Sequence, residues 1–71
     1  MTRPQKYRDV HRFLTKHGWV KVRTRGSHEV WVSGDGLAKV TVAAHQGVVS
    51  AGIVRQIQAQ FPDDEVAKGW N

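Results

Sequence analysis

Trp19-Val20-Lys21-Val22-Arg23-Thr24-Arg25-Gly26-Ser27-His28-Glu29-Val30-Trp31-Val32 decides the fold. Two runs rich in β-branched and aromatic residues flank a Gly-Ser step. That pattern predicts a strand, a tight turn and a second strand. With a period of two, Val20 and Val22 share one side of the first strand. Trp19, Lys21 and Arg23 share the other. In the second strand His28, Val30 and Val32 fall on one side, Glu29 and Trp31 on the other. The valine rows are expected to face the core, which leaves Trp19 and Trp31 on an open, cationic sheet face. His28 then sits at the end of the core-facing row, half-buried.

Moving outward, Ser33-Gly34-Asp35-Gly36 is a hairpin turn, because its glycines accept positive φ. Lys39-Val40-Thr41-Val42-Ala43 alternates again and predicts a third strand. Before the first strand, apolar residues at Tyr7, Val10, Phe13 and Leu14 mark one side of a helix over about residues 3–17. Thr2 and Gln5 suit its start, and Gly18 suits its left-handed end. Arg8, Arg12 and Lys16, spaced four apart, form a cationic row on another face of this helix. After the third strand, Ala44–Val49 reads as a loop carrying His45. Ser50 caps a second helix with Ile53, Val54, Ile57 and Phe61 on its apolar side, ended by Pro62.

The order is α-β-β-β-α. The expected class is α+β, a three-stranded antiparallel sheet with two helices on one face. Its core would be Val10, Phe13, Leu14, Val20, Val22, Val30, Val32, Val40, Val42, Ile53, Val54, Ile57 and Phe61. This order is also that of double-stranded RNA-binding domains. Residues 1–61 would form the domain. Residues 62–71 would be an acidic tail with at most one helical turn, Trp70 either packing back or staying free.

Seventy-one residues bound one small core. The formal net charge is +5 and it is uneven. Residues 1–25 carry +7, residues 26–71 carry −2. A basic half on so small a domain points to a polyanionic partner. An acidic protein surface would suit the same charge. There is no cysteine, which fits a reducing compartment. No apolar run approaches a membrane span, and the basic N-terminus lacks the apolar stretch of a signal peptide. A cytoplasmic location is expected. His11 and His17, six apart, do not share a helix face, and no zinc-type spacing occurs, so no metal or other cofactor is expected.

The ordered set of motifs resembles the HicA, or YcfA-like, toxin family of bacterial type II toxin–antitoxin modules. The matching pieces are His17-Gly18-Trp19, then Arg23 with Gly26-Ser27-His28, then Thr41-Val42 with His45, then Gly52, Arg55 and Ile57. They cover roughly residues 5–60. The resemblance implies a double-stranded-RNA-binding-domain-like fold and a metal-independent mRNA endoribonuclease. It also implies an essential histidine at His28 and a HicB-like antitoxin that covers the site. Two positions depart from the family: Glu29 replaces a second His or similar polar residue, and Ala44 replaces a proline. A carboxylate at Glu29 is expected to repel phosphate.

Histidine suits metal-free RNA cleavage because its pKa lies near neutrality. His28 is therefore the expected general base or acid, with His45 as a second candidate. Otherwise His28 is a packed core-edge histidine and His45 an idle loop residue. Lys21, Arg23, Arg25 and Ser27 are the expected phosphate contacts, against an ordinary solvated face and a turn-holding serine. Trp19 and Trp31 are assigned to base stacking or to the antitoxin interface. The expected function is a toxin acting on mRNA. A non-catalytic RNA-binding module of the same fold is the alternative, and a protein that only blocks an acidic partner is a third.

Overall fold

A computed structural model describes residues Met1–Asn71. In chain order the elements are β1 (Gln5–Lys6), α1 (Tyr7–Lys16), β2 (Val20–Arg25), β3 (His28–Val32), β4 (Lys39–His45), β5 (Val48–Val49), α2 (Ala51–Gln60) and α3 (Glu65–Lys68). The class is α+β, and the sheet is antiparallel in the order β1-β5-β4-β3-β2. It has five strands where three were expected. The extra two are short. Gln5–Lys6, expected to open the first helix, pairs instead with Val48–Val49. The stretch expected as a loop supplies the partner: β4 runs on to His45 and turns back through Gln46 and Gly47. Both central residues have positive φ, 53° and 79°, as a type I′ hairpin requires.

Helix α1 therefore starts at Tyr7 and stops where expected. Gly18, at φ 81°, lets the Trp19 and Gly18 amides donate back to the Leu14 and Thr15 carbonyls. The Ser50 side chain caps α2 by accepting from the Ile53 amide. Asp64 caps α3, accepting from the Val66 and Ala67 amides. The segment set apart as a tail closes over the core through Ala67 and Trp70, both buried. Trp70 meets Phe13 ring to ring at 4.9 Å, and its carbonyl accepts from the Arg3 amide.

The largest correction concerns which side of the sheet faces the helices. Pairing puts Thr24, Glu29 and Val42 in one cross-strand row and Lys21, Trp31 and Val40 in the next. Trp31, Val40 and Val42 are buried, and Trp31 meets the α1 residue His11 edge-on at 5.2 Å. The tryptophan row is thus the core row. Trp19 is buried as well. Val20 and Val22, expected in the core, are 57% and 58% exposed, while Val30 and Val32 are only half-buried. An indole buries more apolar area than a valine, so orienting β3 with Trp31 inward yields the larger hydrophobic gain. The register also shifts between Lys21 and Arg23, leaving Val22 as the extra residue of a β-bulge. Strict alternation therefore fails inside β2, and Lys21 and Arg23 end on opposite faces. Of the remaining expected core, Val10, Phe13, Leu14, Val54 and Ile57 are buried, and Ile53 and Phe61 pack against it from the edge.

Candidate functional site

The hairpin between β2 and β3 closes on the pair Arg25 and His28. Gly26 has φ 60° and Ser27 does not share the positive φ, which is the pattern of a type II′ turn. Glycine at the first central position is what permits it. The turn matches the twist of the strands it joins, so His28 begins β3 in fixed register.

That register builds the sheet face opposite the helices. Arg25, His28 and Ala43 form one row across β2, β3 and β4. Arg23, Val30 and Thr41 form the second, and Val20, Val32 and Lys39 the third. His45 lies two residues beyond Ala43 on the same strand, hence on the same face. A diagonal of this kind separates the His28 and His45 backbones by roughly 7–8 Å. His28, His45, Arg23 and Arg25 are all exposed, and none is in an ion pair. No acidic residue occupies any of these rows. Expected as half-buried on the helix side, His28 instead stands in solvent beside two arginines, because β3 turns Trp31 inward.

Glu29 goes the other way. Its carboxylate accepts from the Tyr7 hydroxyl at 2.7 and 2.8 Å and from the Trp31 indole N–H at 3.1 Å. The Lys21 ammonium stands 3.7 Å from it. Partial burial, then the hydrogen bond to Glu29 and its charge, push the Tyr7 phenol up to about 12. Glu29 is thus held beneath the sheet by two donors and a cation, and its charge is directed away from the open face.

The expected site residues divide accordingly. Arg23, Arg25, His28 and His45 come together. Lys21 does not join them; the bulge sends it to the helix side to pair with Glu29. Ser27 sits in the exposed turn and lines a shallow cleft with Tyr7, Gly26, Glu29, Ala44 and Gly47. Trp19 and Trp31 are core residues, with too little exposed ring to stack a base or anchor a partner. Tyr7 is the residue that sequence reasoning missed, since its place in an apolar stripe says nothing of the acceptor its hydroxyl finds. No three His, Asp or Glu side chains converge as metal ligands.

A small α+β domain with an open, cationic, histidine-bearing sheet face is the class that fold and site define. The sequence matches the model of the HicA toxin of bacterial toxin–antitoxin over residues 7–61. The chain belongs to the HicA toxin family. A toxin role, nuclease chemistry and an antitoxin partner come with that membership. No curated protein and no solved structure matches the chain significantly. No helix is long and apolar enough to cross a membrane.

Proposed function

We propose that this toxin is a metal-independent endoribonuclease that cleaves mRNA in the cytoplasm, with His28 as its principal proton-transfer group. The fold is read as a variant of the double-stranded-RNA-binding-domain type, with β1 and β5 added at one edge. The observation that carries the proposal is the row Arg25–His28 on an exposed face free of acids. A histidine there reaches a backbone phosphate without crossing a carboxylate.

The step is attack by a ribose 2′-oxygen on the adjacent phosphorus. The 2′-proton goes to one imidazole, the bond to the leaving 5′-oxygen breaks, and that oxygen takes a proton from a second group. The products are a 2′,3′-cyclic phosphate and a free 5′-hydroxyl. In-line displacement puts entering and leaving oxygens on opposite sides of phosphorus, so base and acid must stand apart. His28 and His45, diagonal on one face, satisfy that demand, with either able to take either role. Arg23 and Arg25 neutralise the charge that builds on the phosphorane oxygens. Ser27, at the turn, hydrogen-bonds a neighbouring phosphate. A HicB-like antitoxin neutralises the toxin by covering this same open face.

The test is incubation of purified protein with single-stranded RNA in EDTA. Cleavage leaving 2′,3′-cyclic phosphate ends is expected, as is its loss in His28→Ala with RNA binding retained. Binding without cleavage by the unmutated protein would overturn the enzyme reading and leave an RNA-binding module.

A further inference from the structure

The cationic row of α1 takes no part in the His28 chemistry. Arg8, His11, Arg12, Thr15 and Lys16 occupy the helix stripe i, i+3, i+4, i+7, i+8, and all five are exposed. Together with Tyr7 they line one shallow groove. Arg8, Arg12 and Lys16 lie on it one above another, each about 6 Å further along the axis. A second groove continues from Tyr7 and Arg8 to Lys6, Gln46, Gly47 and Val48. Tyr7 and Gly47 also line the cleft beneath the Gly26-Ser27 turn. Tyr7 lines all three depressions, Arg8 the first two and Gly47 the last two, so they join into one path. It runs along α1, around the end of the sheet and up to the turn that carries His28.

Along α1 the path is cationic. Lys6, Arg8, Arg12 and Lys16 are exposed and none is in an ion pair. His11 offers an exposed ring, held edge-on against Trp31 and 5.8 Å from Tyr7. Glu29, the carboxylate at its end, is already engaged by Tyr7, Trp31 and Lys21. The remaining nearby acids, Asp9 and Asp64, line the adjoining groove on the other flank of α1, which Arg12 and Lys16 border as well. Asp64 is engaged there by His17 at 3.0 Å, and neither acid is in an ion pair with Arg12 or Lys16. A line of free cations with a flat ring beside it is what tracks a single-stranded nucleic acid backbone while tolerating any base.

We propose that single-stranded RNA is held along α1 by Lys6, Arg8, Arg12 and Lys16 and is delivered round the sheet end to the His28 turn. This rests on the ribonuclease reading and adds to it a substrate track remote from the reacting atoms. The track favours long, unpaired RNA over short fragments.

The experiment measures binding of a fluorescent single-stranded RNA of about 20 nucleotides, a length that spans more than one such site, in EDTA over a range of salt concentrations. All variants carry His28→Ala so that the RNA stays intact. Arg8→Gln/Arg12→Gln/Lys16→Gln is expected to weaken binding at least tenfold. It should also reduce the slope of log affinity against log salt by about 2, at roughly 0.7 for each phosphate no longer neutralised. Lys68→Gln removes a cation from α3, away from the path, and should leave affinity and slope nearly unchanged. Circular dichroism confirms that each variant is folded. Unchanged RNA binding in the triple variant overturns the track, even if α1 then proves to bind an acidic protein. An equal loss per charge in Lys68→Gln overturns it too, since net charge alone would then explain the effect. Failure of the ribonuclease reading shows separately: the protein with His28 intact would bind RNA through α1 and not cut it.

Discussion

The two faces of the sheet are built from the same strands and differ in almost every physical respect. On the helix side, Trp31, Val40 and Val42 are buried, and the one acid, Glu29, is matched by two hydrogen-bond donors and a lysine. On the open side, Arg23, Arg25, His28 and His45 are exposed, and the two arginines have no counter-ions. Adjacent residues of β3 thus serve separate ends. Glu29 and Trp31 hold the domain together, while His28 stands where a polyanion can reach it. A positive surface left unneutralised is a standing attraction for phosphate, and a core with its polar groups paired keeps that surface rigid.

The sharpest way to break this division is to attack the buried face. Trp31→Ala should cost about 3–5 kcal/mol, a large share of the stability of a domain this size. Chemical denaturation would show it as a lower midpoint, and a near-normal midpoint would mean that Trp31 is not a core residue. Valine separates the faces more finely. Val42→Ala should cost about 2 kcal/mol, whereas Val22→Ala, at the exposed bulge, should stay within about 0.5 kcal/mol. Equal losses would contradict the orientation of the sheet.

Tyr7→Phe removes a hydrogen bond to a charged acceptor at a half-buried site and should cost about 1 kcal/mol. The Tyr7 phenol is raised from 10.0 to about 12 in the folded protein. Its contribution is therefore complete below about pH 10 and is lost as pH rises towards about 12. Thermal melts across that range should show an alkaline loss that Tyr7→Phe reduces; identical profiles would dissociate Tyr7 from Glu29. Smallest is the effect of Arg25→Gln on the open face. RNA affinity should fall only a few-fold, with a salt slope shallower by about 0.7 and no loss of stability.

Much of the fold is legible in the sequence, because helix periodicity and turn chemistry are local. The end of α1 at Gly18, the cap of α2 at Ser50 and the Gly26-Ser27 turn follow from a few neighbouring residues. The orientation of the sheet is not local. Val20, Val22, Val30 and Val32 form so regular a row that it reads as the core, yet burial of the two indoles outweighs it. A bulge at Val22 leaves no mark in the residue pattern. The same reversal of faces hides the favourable setting of His28, expected half-buried, and makes Glu29 look like a hazard on its flank. The partner that draws Glu29 away, Tyr7, lies 22 residues earlier, a distance that no motif spacing spans. The pairing of β1 with β5 is hidden for a like reason: a two-residue strand has no period to detect.

His28 and Glu29, adjacent in β3, are assigned to opposite faces, one to catalysis and one to stability. Parallel measurement of RNA cleavage rate and melting temperature in His28→Ala and Glu29→Gln tests that division most directly. His28→Ala should lower the rate by about 10²–10⁴-fold, the usual range for loss of a general acid or base, with melting unchanged. Glu29→Gln should lower the melting temperature while cleavage persists. Undiminished cleavage by His28→Ala, or loss of cleavage in a folded Glu29→Gln protein, would contradict the account.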